Sequence, residues 1–338
     1  MNQCWRTTCA ACRFFCLALW QRPGLSSNRA PSATAIPSPP RSPACGRGGR
    51  SRAWAWLAAL LVGAAAHAHD VTDDRGVTVH FDAPPQRVVS VLPSLTETVC
   101  AIGGCARLVG VDRYSNWPAA VKALPQVGGG LDPNIEAVVA LKPDVVLMAT
   151  SSRAAERLRA LGVKVVALEP KTGADVKRVM GKLGQLLALP DAERVARETE
   201  AGVAAAAQAL PPALRGQRVY FEASPGPHAA GPQSFIGELL TTLGLVNVIG
   251  PELGPFPKIN PELVVRAEPD LIMAGERSGS EIARRPGWQR LRAVRGQHVC
   301  LFNAQEVDIL VRPGPRMPEA AQLMVRCVID HGIKERAR

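Results

Sequence analysis

Catalysis and metal binding need particular side chains at particular spacings. No Gly-x-Ser-x-Gly elbow, Walker-type phosphate loop or His-Glu-x-x-His pair occurs in the 338 residues. Glu222, at the end of an apolar run, could act as a general base, but no His or Asp stands near it in sequence. Cys4, Cys9-x-x-Cys12 and Cys16 have the spacing of a metal knuckle. They precede a Ser/Pro/Arg tract with nothing to pack on, so a leader is the better reading. A receptor for free zinc or manganese would need several His converging with a carboxylate. His80 and His331 fall outside the loops that could form one site, and His228 is either a ligand or an ordinary loop residue. The sequence thus predicts neither an enzyme nor a protein with a resident metal or cofactor.

Two acidic residues stand out because they are repeated. Asn134-Ile-Glu136-Ala-Val138-Val139, running on to Pro143-Asp144 and an apolar stretch, recurs 126 residues later as Asn260-Pro-Glu262-Leu-Val264-Val265, followed by Pro269-Asp270. Pro-Asp alone is ordinary turn chemistry. The coincident Asn-x-Glu is harder to explain that way, because the first turn of a helix accepts many residue types. The repeat predicts two similarly built lobes, each presenting one Glu at a helix start.

The elements that must position these residues read as a strand–helix alternation. Apolar runs at 87–92, 108–111, 145–148, 164–168, 218–221, 271–274 and 299–302 are flanked by Gly, Pro, Asp or Asn and predict strands. Ser94-x-x-Glu97 after the first of them has the form of a capping box. The fold class expected is α/β, with mostly parallel sheets. The longest helical pattern, 191–210, would be about 30 Å long and lies midway along the chain, so it can join two lobes stiffly. The predicted organisation is a leader over 1–68, an N-terminal lobe over 69–189, a connecting helix over 190–211 and a C-terminal lobe over 212–338.

Charge supports this division. Of the net +11, eight positive charges are Arg residues within 1–68, which hold no acid, leaving +3 for the rest. A nucleic-acid binder would keep its charge in the folded part, so none is expected. A basic stretch ending at Arg52, an apolar run of 14 residues over 53–66 and the small-x-small site Ala66-His67-Ala68 form the three parts of a secretory signal. Export to the periplasm is expected, with a mature chain starting near His69. Oxidation then becomes available to Cys100 and Cys105, which can either bridge or remain free. Cys300 and Cys327 are expected to stay buried as small hydrophobes.

Pro93-Ser94-Leu-Thr-Glu97, Leu108-Val-Gly110-Val, Tyr114-Ser-Asn-Trp117-Pro118, Gln126-Val-Gly-Gly129, the two Asn-x-Glu segments, Gln233-Ser-Phe and Arg312-Pro-Gly-Pro315-Arg316 occur in one order across 87–328. In that order they resemble the periplasmic binding proteins for cobalamin, iron-siderophores and haem, and the cobalamin members most. The resemblance implies two α/β lobes joined by one rigid helix, with a ligand cleft between them. It also implies a cobalt- or iron-containing chelate as ligand and an ABC permease dimer in the inner membrane as partner, with the receptor itself a monomer. Glu136 and Glu262 correspond to the residues that dock on permease arginines. Ligands of open α/β sheets sit beyond the carboxyl ends of strands. The candidates there are Ser94, Tyr114, Trp117, Gly129, Phe256, Asp308 and Arg312, with Tyr114 and Phe256 at aromatic contact positions. Gly129-Gly130 and Thr150 stand where the cobalamin receptor carries Trp, and His228 near a Phe, so a wider or less aromatic pocket is expected. Arg312 either binds an anionic group of the ligand or pairs with Asp308 to hold its loop.

Overall fold

The computed structural model describes residues 68–333. The leader, with Cys4 to Cys16, the Arg-rich tract and the apolar run, lies outside the described residues. The fold begins with a hairpin that the sequence reading did not anticipate, β1 (His69–Thr72) against β2 (Thr78–Phe81). Its turn is held by the buried carboxylate of Asp73, which accepts from Arg75 N and Val77 N at 2.9 Å.

The first sheet has β3 (Val88–Ser90), β4 (Leu108–Val111), β5 (Val145–Met148) and β6 (Val165–Ala167), all parallel in the order β4-β3-β5-β6. Helices α1 (Pro93–Ala101), α2 (Ile135–Ala140) and α3 (Ala154–Ala160) connect these strands. Next come α4 (Gly173–Leu187) and α5 (Ala192–Ala209). The second sheet is built from β7 (Arg218–Ser224), β8 (His228–Ala229), β9 (Val246–Asn247), β10 (Leu271–Gly275) and β11 (Val299–Phe302). Its order is β11-β10-β7-β8, with β9 also on β7, and only β8 runs antiparallel. The helices of this half are α6 (Phe235–Thr242), α7 (Pro261–Ala267), α8 (Glu276–Ile282), α9 (Arg292–Arg295), α10 (Ala304–Leu310) and α11 (Met317–His331). The architecture is α/β with two parallel-rich sheets, and the helix expected over 191–210 is α5.

Alternation of side chains along buried strands explains how the halves are welded. Val145 and Leu147 of β5, like Leu271 and Met273 of β10, belong to one core shared with α4, α5 and α11. Val146 and Met148 point the other way, beneath α2 and α3, while Ile272 and Ala274 pack beneath α7 with Trp288. Each sheet therefore has a private face and a face in common.

Two sequence expectations need correction. Ser94 does not cap α1: the cap residue is Leu92, Pro93 occupies the first turn, and Glu97 is buried far from the helix start's backbone. Proline's fixed φ already suits the first helical position, so the strand can run directly into the helix. Cys300 and Cys327 are bridged rather than free, as β11 and α11 bring their Cα atoms to 5.8 Å, within disulfide range. Cys100 and Cys105 form a second bridge at the end of α1.

Candidate functional site

The carboxyl ends of both sheets face one cleft of about 520 Å³. From the first half, the β3–α1 junction contributes Pro93 and Ser94, the loop after β4 contributes Tyr114, and the β6–α4 link contributes Glu169 and Lys171. From the second half come Phe235 at the start of α6, Phe256, and Asp308 with Arg312 around the end of α10. Ser94, Tyr114, Phe256, Asp308 and Arg312, all expected there from sequence, line this space. Trp117 and Gly129 do not. The Trp117 ring lies 5.0 Å beneath the Arg316 guanidinium, and Gly129 faces Asp132, whose Oδ1 would lie 2.5 Å from an added Cβ. A larger groove of about 730 Å³ lies beside the amino end of β11, at Gly296, Gln297 and His298, away from the strand ends that form the cleft.

Two aromatic surfaces remain open to a ligand, Tyr114 at 60% exposure and Phe256 at 43%. Phe256 is backed by Phe235, ring centroids 6.1 Å apart. Tyr114 is fixed through its backbone: its N–H donates to Asp112 Oδ2 at 2.9 Å, and its carbonyl accepts from Arg312 Nη2 at 3.0 Å. Asp112 is fully buried, and burial pushes its carboxyl above the usual range against bonds from Ser115 and the Tyr114 N–H. The backbone that carries the ring is thus held in place, which lowers the ordering cost of binding, and the Arg113 guanidinium lies over one face of the ring, 5.9 Å from its centroid.

Arg312 is already fully engaged and does not await an anion. Its Nη1 donates to Glu97 Oε1 and Asn116 Oδ1 at 2.8 Å, and its Nη2 lies 2.8 Å from Asp308 Oδ1. Arg316 Nη1 approaches the same Glu97 oxygen at 3.5 Å, and Asn116 Nδ2 donates to Asp308 at 2.7 Å. Burial pushes the Glu97 carboxyl up, opposed by Arg312 and Arg316. These groups form a polar junction between the two halves. Sequence reasoning missed Glu97, Asn116 and Arg316 because the junction joins positions 215 residues apart.

A polar side chamber of about 440 Å³ shares Glu169 and Lys171 with the cleft. Its other charges are paired: Arg178 with Asp74 and with Asp175 at 2.9 Å, and Lys182 with Asp74 at 3.0 Å. Burial raises the Asp74 carboxyl, but bonds from Arg178, the Glu169 N–H and Lys182 outweigh it and hold it below the usual carboxylate range.

Glu136 and Glu262 are exposed and stand in the first turn of α2 and α7. Nearly every other coincident residue of the repeat has a structural task. Asn134 and Asn260 cap their helices, accepting from Ala137 N and Glu262 N. Asp144 and Asp270 accept from Arg87 N and Arg218 N, and these two arginines donate to carbonyls at the helix ends, Leu141 just after α2 and Ala267 at the end of α7, at 2.7 and 2.8 Å. Lys142 and Glu268 both turn through positive φ, 47° and 41°. Only the two Glu side chains have no internal bond.

Glu222 is not poised as a base: buried, it accepts from Tyr220 Oη at 3.0 Å and from both Arg285 Nη atoms. The histidines are dispersed. His80 pairs with Asp70 and Asp82, His298 with the His331 carbonyl, and His228 lies outside the cleft lining with Nδ1 3.3 Å from the Pro225 carbonyl. Among the described residues no group of three or more His, Cys, Asp or Glu could hold a metal ion. No described helix is long and apolar enough to cross a membrane.

The chain matches the family model described as periplasmic binding protein over residues 88–306. It is 28% identical to a vitamin B12-binding protein of Pectobacterium carotovorum over 79% of this chain and 91% of that one. The periplasmic vitamin B12-binding protein of Vibrio cholerae superposes with a TM-score of 0.62 at 25% identity, covering 73% of this chain and 98% of the other. A periplasmic heme-binding protein in complex with two hemes gives a TM-score of 0.63 at 25% identity, covering 72% and 98%.

Proposed function

We infer, since this chain belongs to the periplasmic binding protein family, that it is the exported solute receptor of an ABC importer and carries a bulky metal chelate, a corrinoid before any other, to the permease. The observation that carries this reading is the cleft itself, where Tyr114 and Phe256 present flat surfaces from opposite halves. Such rings offer contact area at little entropic cost. A rigid junction behind the cleft suits a receptor that holds its cargo without chemistry. Glu136 and Glu262 would meet matching cations on the two permease subunits through charge-assisted bonds. The signal over 53–68 would place the chain in the periplasm, and β1 begins at His69, where the mature chain is expected to start.

Titration of the purified chain with cyanocobalamin, haemin and ferric siderophores tests the reading. Saturable one-to-one binding of cyanocobalamin supports it, and the absence of binding to every chelate overturns it. A haem or ferric-siderophore cargo is the second reading, favoured by the exposed phenol of Tyr114, an oxygen donor suited to iron.

A further inference from the structure

With the Arg312 charge paired, the cleft lining still contains, among the described residues, one cation without a partner. Lys171 is exposed, and no hydrogen bond or ion pair engages its ammonium. Its backbone, by contrast, is pinned on both sides: the N–H donates to Asp175 Oδ2 at 3.2 Å, and the carbonyl accepts from Phe235 N, in the other half, at 2.9 Å. The next link repeats the clasp, with Gly173 N donating to Glu238 Oε2 at 2.6 Å. Lys171 therefore stands at a fixed point, where the apolar cleft opens into the polar side chamber. Every other cation lining either space is neutralised: Arg312 by Glu97 and Asp308, Arg178 by Asp74 and Asp175, Lys182 by Asp74. Of the carboxylates beside it, Asp308 is ion-paired with Arg312 and held by Asn116, whereas Glu169 meets only the neutral Thr150 hydroxyl and keeps its charge.

We propose that Lys171 is the anion-binding residue of the cleft, taking an oxyanion arm of the chelate at the mouth of the side chamber. The inference rests on the receptor reading above. The flat body of the ligand lies against Tyr114 and Phe256, and a phosphodiester or carboxylate reaches past them to the ammonium. An uncommitted lysine on a pinned backbone suits this task because its point charge can meet either oxyanion.

The test compares ligands with and without the oxyanion arm. Cyanocobalamin carries a nucleotide phosphodiester that dicyanocobinamide lacks, and haemin carries carboxylates that its dimethyl ester lacks. Binding of each to the wild-type chain and to Lys171→Gln and Lys171→Arg is measured by calorimetry at low and high salt. Lys171→Gln should weaken the arm-bearing ligand about 10- to 150-fold, as loss of one charge-assisted contact implies, and leave the armless partner within about twofold. Lys171→Arg should retain most of the affinity, and the salt dependence should flatten in Lys171→Gln alone. Unchanged affinity for the arm-bearing ligand, or equal loss for both members of a pair, overturns the inference while leaving the receptor reading intact. A wild-type chain that binds none of the four overturns both.

Discussion

Removing the carboxylate of Glu97 should destabilise the protein far more than its helix position suggests. In Glu97→Ala, Arg312 loses a 2.8 Å partner and Arg316 a 3.5 Å partner while keeping Glu319 at 3.4 Å, and both guanidiniums stay about as buried as before, at 8% side-chain exposure. Stranding buried charge costs about 3–5 kcal/mol. Arg312 keeps Asp308, Asn116 and the Tyr114 carbonyl, so the lower end applies, about 3 kcal/mol. With an m-value of about 3 kcal/mol per molar urea for a chain this long, the midpoint should fall by about 1 M. The control is Asp308→Ala. Its side chain is 32% exposed, and a pair of that kind contributes about 0–1 kcal/mol. Urea melts of both variants at neutral pH decide the matter. A loss below about 1 kcal/mol in Glu97→Ala, or an equal loss in both variants, would mean that water rather than Glu97 compensates the two arginines.

Tyr114→Ala and Phe256→Ala should each weaken binding of the chelate by about 1–3 kcal/mol without changing the urea midpoint; calorimetry that finds both at wild-type affinity would move the ligand elsewhere. Asp74 has a lowered carboxyl, so its contribution is present above the unfolded value of 3.8 and is lost as pH falls through the lower folded value. Asp74→Asn should therefore melt earlier than wild type at pH 6, with the gap shrinking as pH falls below about 4; a gap that does not narrow on acidification contradicts the assignment. The double variant Glu136→Ala/Glu262→Ala should bind its ligand normally in solution but support little uptake in cells, a docking loss of about 2–5 kcal/mol per contact. Normal uptake would reduce the pair to helix-start residues.

What the sequence reveals and what it hides divide along the range of the interactions. The seven runs read as strands are all strands, because parallel strands covered on both faces must be apolar throughout and local composition therefore betrays them. The β1–β2 hairpin escapes that rule: its strands are largely exposed and polar, His-Asp-Val-Thr and Thr-Val-His-Phe. Ser94-x-x-Glu97 misleads for the opposite reason. The local pattern satisfies a capping rule, but the carboxylate is claimed by Arg312, whose position along the chain gives no hint of the pairing. Cys300 and Cys327 are brought together in the same way, by tertiary packing. Lys171 carries no sequence signal whatever, since its significance comes from the pairing of the other cations that line the cleft and the side chamber.

The repeat and the cleft differ in a way that fits the proposed role. Outside, the two halves reproduce the same features in the same order: an Asn cap, an exposed Glu, a left-handed turn, and an Asp–Arg lock at the following strand. Inside, nothing is reproduced. Tyr114, Ser94 and Lys171 come from one half, Phe256, Phe235 and Asp308 from the other, and the Glu97 junction has no second copy among the residues lining the cleft. A permease dimer presents the same surface twice, so a receptor that meets it gains from keeping matched contacts on its two lobes. A chelate with one arm has no such symmetry and places different demands on each wall. Pseudo-symmetry where a symmetric partner would dock, and its absence where an asymmetric ligand would lie, is the pattern that the proposed delivery role leads one to expect.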